Sequence, residues 1–99
     1  MTTCATEAQA DKLIKALLKT KLAACIQLQP IRSFYTWKGV VENNAEILLF
    51  IKTASPLYEE VEACIKANHE YETPEIISVP IEKGSADYLS WIGEVTKDV

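Results

Sequence analysis

His69 is the chain's one histidine, and Glu70, Glu72 and Glu75 follow it in the segment HEYETPE. An imidazole among carboxylates suits Cu²⁺ or Zn²⁺, and a neighbouring copy of the chain can supply further ligands. Cys4 offers a soft donor for the same metal, although a thiolate needs an activating neighbour and none stands beside it in the sequence. His69 also has an ordinary reading: a histidine where a helix ends bonds the last carbonyls and, when charged, complements the dipole. The other two cysteines, Cys25 and Cys64, complete an odd and widely spaced set, unlike a disulfide framework or paired CxxC zinc ligands, and read as reduced core thiols. Lys52 interrupts an apolar run and is a candidate for a specific role, whereas Arg32 reads as a solvated strand position. Nucleophilic hydrolysis would need a serine or cysteine beside the one imidazole, and nothing places Ser33, Ser55 or Ser78 there. There is no phosphate loop and no dinucleotide fingerprint, so the reading is non-enzymatic with no organic cofactor.

Fourteen acidic against ten basic residues give a net charge of −4, which repels phosphate backbones and sets nucleic acid aside as a partner. No apolar run approaches the ~18 residues of a spanning helix, and no basic segment leads into an apolar one at the start; a cytoplasmic protein without membrane contact is expected. Ninety-nine residues make a single domain, 48% hydrophobic and 24% charged, with a core small enough to gain from self-association.

These residues must be held by a short list of elements. Thr2 to Ala5 reads as the end of a strand too short to stand alone. Thr6 and Gln9 form a capping box ahead of Ala10, Leu13, Ile14, Leu17 and Leu18, predicting a helix over about 7 to 21. From Cys25 the period becomes two and runs to Trp37, with a bulge or bend expected near Pro30. Lys38 and Gly39 turn the chain, Glu42, Asn43 and Asn44 mark a second irregular point, and Ala45 to Thr53 forms a strand apolar on both faces. Ser55 as cap and Pro56 at the first helical position open a second helix reaching about Ala67 or Asn68. Ile76 to Ile81 reads as a strand whose Pro80 marks an edge, and a short helix follows Gly84 and Ser85.

The order is α+β: a ferredoxin-like split βαβ, β-α-β-β-α-β plus a short C-terminal helix, with two helices on one face of an antiparallel sheet. Residues 25 to 37 at ~3.3 Å each would extend ~40 Å, against a radius of gyration of ~13 Å for a compact chain of this length. The hairpin must therefore project or bend. Its outer part carries Phe34, Tyr35, Trp37, Val40 and Val41, and a second copy of the chain is the simplest cover for them.

LAACIQLQPIRSFYTWKGVVENNAEILLFIKT from Leu22 to Thr53, HEYETPEI from His69 to Ile76 and DYLSWI from Asp87 to Ile92 together resemble the CutA family of divalent-cation tolerance proteins. The resemblance covers nearly the whole chain. It implies a subunit similar in fold to the PII signalling proteins, a tight homotrimer, and a role in copper and heavy-metal tolerance with Cu²⁺ or another divalent metal as ligand. A PII-like signalling or interaction module holding a small molecule between subunits is the alternative. By position it assigns metal ligation to His69, and less directly to Cys4, since the family's ligand cysteine falls on Thr2 and the first of its paired histidines on Asn68. Glu70 and the short first strand are further departures. Tyr35, Trp37, Lys52, Tyr71 and Glu75 match family positions around the clefts between subunits, where aromatic walls with one amine and one carboxylate suit a small anionic or zwitterionic ligand. The competing role for the aromatics is packing between subunits.

Overall fold

Thr6 leaves the first strand in extended conformation, and its hydroxyl accepts the Gln9 N–H at 3.1 Å, so one residue ends β1 (Thr2–Cys4) and starts α1 (Glu7–Lys19). The computed structural model describes residues 1–98. α1 stops two residues short of the expected point. Lys21 takes the left-handed conformation (φ 57°), its N–H reaching the Leu18 carbonyl and that of Leu22 the Leu17 carbonyl, a Schellman ending with lysine where glycine is usual.

β2 (Cys25–Trp37) and β3 (Val40–Lys52) then pair antiparallel from Cys25↔Lys52 to Trp37↔Val40 without one break in register. Neither expected irregularity exists. Pro30 faces Ile47 and Asn43 faces Phe34 in ordinary register. Proline is accommodated because the sheet order is β1-β3-β2, leaving β2 at an edge where a missing N–H need not cost a ladder bond. Lys38 (φ 51°) and Gly39 (φ 80°) close the hairpin, both in the left-handed region that a two-residue turn of the primed type requires. The arm projects as its length demanded: the molecule measures 45 × 26 × 21 Å, with a radius of gyration of 14.3 Å.

Alternation along β3 puts Ile47, Leu49 and Ile51 beneath the helices, with Leu48 and Phe50 on the other face. Cys4, Leu13, Leu17, Leu49, Leu57, Val61 and Ile65 form the core between the sheet and α1 with α2 (Tyr58–Asn68). Ser55 does not cap α2. Ser55–Leu57 is a 3-10 turn with no side-chain cap, and Pro56 fits it because that first turn needs no donor there. Ser85 caps α3 (Ala86–Val95) by accepting the Tyr88 N–H at 3.3 Å.

The last strand is the main departure from the predicted order. Ile76 bridges Thr2, and the Met1 and Ile77 backbones exchange bonds of 2.8 and 3.1 Å. Residues 78–81 then have no strand partner among the described residues. Pro80 within that stretch has no N–H to donate to a ladder. What stands is an α+β fold of three antiparallel strands and three helices.

Candidate functional site

Glu46 and Thr3 lie on the sheet face opposite the helices, and the 69–75 segment folds over that face from the end of α2. Between them and the outer half of the hairpin is an open cavity of ≈ 620 Å³. Its walls are aromatic, from Phe34, Tyr35, Trp37 and Tyr71, and four carboxylates face it, Glu46, Glu70, Glu72 and Glu75. Among the described residues, no lysine or arginine lines it. Of the five residues expected around a cleft, Tyr35, Trp37, Tyr71 and Glu75 therefore meet, and Lys52 does not. Lys52 borders a separate groove of ≈ 600 Å³ beside residues 76–81, its Nζ 5.3 Å from the centre of the Tyr88 ring. Within one chain, the amine of the expected set thus stands apart from the carboxylates and aromatic rings.

Tyr71 fixes the floor. Its hydroxyl donates to Glu46 Oε2 at 2.5 Å, and Glu46 is only 8% exposed. Burial pushes the phenol far above its ordinary range, and the bond to Glu46 with that residue's charge adds to the shift, because phenolate beside carboxylate would set two anions together. Asn44 donates to the Tyr35 hydroxyl at 2.6 Å and so sets the opposite wall.

His69 is not free to ligate. The Tyr71 N–H donates to Nδ1 at 3.0 Å, and Nε2 lies 2.7 Å from the Thr3 carbonyl. A carbonyl can only accept, so Nε2 carries the proton and Nδ1 has its lone pair occupied. Cys4 is wholly buried, paired with Ile47 and with Sγ 3.5 Å from the Thr6 carbonyl. Burial pushes its thiol up, and the charges of Glu46 and Glu70 act in the same direction, against the thiolate that a metal takes. The two expected ligands thus do not fit a copper centre, and among the described residues no three His, Cys, Asp or Glu side chains form a metal-holding group. Cys64 packs at the margin of the core and Cys25 is half-buried, so the most deeply buried thiol is the one offered as a soft metal donor, and the two read as core thiols are less buried.

Gln9 is the residue that sequence reasoning missed. It does not complete the capping box. Buried at 3% exposure, its amide donates to the Asn68 carbonyl at 3.0 Å and accepts the Glu70 N–H at 2.9 Å, tying α1 to the start of the cavity loop. An uncharged polar residue on the otherwise apolar Ala10, Leu13 and Leu17 side of α1 was the available signal.

The family profile described as CutA1 divalent ion tolerance protein matches residues 1–95. This chain belongs to the CutA1 family. It is 42% identical over 89 residues to the divalent-cation tolerance protein CutA of Archaeoglobus fulgidus, covering 90% of this chain and 87% of that one. It is 40% identical over 98 residues to mouse protein CutA, but covers 98% of itself and only 55% of the mouse protein. The chain thus spans about half the length of some of its mammalian relatives. Among solved structures, a CutA1 of Pyrococcus horikoshii superposes with a TM-score of 0.95 at 39% identity, covering 98% of this chain and 95% of that one. The family corrects one expectation. Relatives include a chloroplastic CutA of Arabidopsis thaliana, and the Archaeoglobus CutA structure is described as periplasmic, so a cytoplasmic location does not follow from the fold or its charge. The surface of a folded domain carries no address; a detachable leader does.

Proposed function

We propose that this CutA1 chain works as a homotrimeric, non-enzymatic divalent-cation tolerance protein, its copies meeting through sheets and hairpins and presenting the acidic cavity to cations in a heavy-metal response such as that to copper. The observation that carries the reading is the lining itself: four carboxylates, aromatic walls and, among the described residues, no basic side chain. Oxygen donors are the chemistry of this site, rather than the imidazole and thiol. Self-association is supported by the hairpin tip, where Phe34 is 65%, Val40 59% and Val41 73% exposed. Together they form an apolar end that a lone chain leaves in water. Carboxylates from a neighbouring copy would complete a donor set that one chain does not assemble.

A second reading keeps the cavity and changes the ligand: a signalling or interaction module taking a small molecule between subunits. The aromatic walls favour an ammonium- or guanidinium-bearing molecule for it. Sedimentation equilibrium together with calorimetric titration of Cu²⁺, Zn²⁺ and small amines separates the two. The metal reading predicts a species three times 11.0 kDa whose divalent-ion binding is lost in a Glu70→Gln, Glu72→Gln, Glu75→Gln variant. A folded 11.0 kDa monomer, or ion binding unchanged in that variant, removes it.

A further inference from the structure

The end of α2 is held by two side chains that between them satisfy four backbone groups. Gln9 takes the Asn68 carbonyl and the Glu70 N–H, while His69 takes the Thr3 carbonyl and the Tyr71 N–H. The second pair reaches across the sheet edge, joining β1 to the segment that carries Tyr71 over Glu46. We infer that His69 is a positioning residue, a neutral clasp protonated at Nε2 that sets the Tyr71 phenol and with it the acidic cavity, and that metals do not coordinate it in the folded protein.

The chemistry of the ring demands this. Coordination through Nε2 requires loss of the proton held against Thr3, and the ring would have to leave a 2.7 Å bond. Coordination through Nδ1 requires the same lone pair that accepts the Tyr71 N–H at 3.0 Å, stranding that amide. The His69 and Tyr71 rings also pack at 4.8 Å between centroids, so moving one ring displaces the other. Tyr71 is therefore placed twice, through its backbone by Nδ1 and through its ring by contact, before its hydroxyl meets Glu46.

Three substitutions divide the clasp. Asn at position 69 puts an amide oxygen near the place of Nδ1, where it can accept the N–H two residues on. Gln reaches toward the Thr3 carbonyl and gives up the Tyr71 bond. Ala removes both. In the wild-type protein, nitrogen–proton correlation spectra should show a single His69 tautomer protonated at Nε2, with no selective broadening of that ring by substoichiometric Cu²⁺. The Tyr71 hydroxyl resonance and hydrogen-bonded amide shift should persist in His69→Asn and be lost in His69→Gln and His69→Ala, with Cu²⁺ affinity following the clasp: kept in His69→Asn and lowered in the other two. A proton on Nδ1, selective broadening of His69, or equal loss of Cu²⁺ affinity in all three variants would overturn the inference. The wild-type spectra need no variant to fold. None of these readouts depends on assembly, so a monomer would defeat the trimer and leave the clasp standing.

Discussion

Replacing Gln9 by methionine preserves the length and most of the volume of the side chain while deleting both ends of its amide. The Asn68 carbonyl and the Glu70 N–H then lose their partners, at 3.0 and 2.9 Å, beneath a side chain that is 3% exposed. A buried backbone group left unsatisfied costs ~1–3 kcal/mol, and water reaching the loop side of these two brings each to the low end, so the pair should cost about 2 kcal/mol. For a domain of this size that is a fall in melting temperature of roughly 8–16 °C. Calorimetry measures it, and amide hydrogen exchange locates it: Glu70 should lose protection ahead of the core positions Leu13 and Leu49. A Gln9→Met protein melting with the wild type, its Glu70 amide still protected, would refute the idea that this amide holds the cavity loop.

Tyr71→Phe should cost about 1.5 kcal/mol in urea unfolding, the lower range for a bond to a charged group, because Glu46 stays buried without its donor. The same pair gives a pH signature. Since folding raises the Tyr71 phenol above its ordinary 10.0, its contribution is complete below that pH and is lost as pH climbs toward the folded value; Tyr71→Phe should flatten this alkaline limb, and an unchanged limb would show that other groups cause it. Lys21→Gly should add about 1 kcal/mol by relieving a left-handed lysine, read as a shifted urea midpoint. Val41→Asp should leave the folding of a lone chain within ~0.5 kcal/mol because the residue is 73% exposed. Its sedimentation coefficient should nevertheless drop if the arm lies between copies; an unaltered assembly would place the contacts elsewhere.

The helices and the hairpin were legible because their signals are local. Thr6 before an apolar 3.6 period, and Lys38–Gly39 between two runs of period two, each act over a few residues. The bulge expected at Pro30 was not there because proline's requirement is met by strand position in the sheet, which is a property of topology. The strand from Ile76 is legible only in part: its pattern is adequate, and the one bridge it makes is to Thr2 of β1. The site divided along the same line. Tyr35, Trp37, Tyr71 and Glu75 were found together from a family resemblance. The commitment of the His69 ring depends on a contact 66 residues apart in the chain, that between His69 and Thr3. Gln9 was visible only as half of a capping box, a local motif that a distant backbone had taken over.

The unbroken hairpin also limits how this protein can vary. In a ladder whose partners never skip, adding or removing one residue on either strand turns every side chain to the opposite face from that point to the tip, taking Tyr35 and Trp37 off the face they share with Glu46. Lengthening or shortening is therefore tolerated only as matched additions on both strands beside Lys38 and Gly39, two residues at a time to keep the facing. The reach of the arm is quantised, and homologues with longer or shorter arms should differ in such steps.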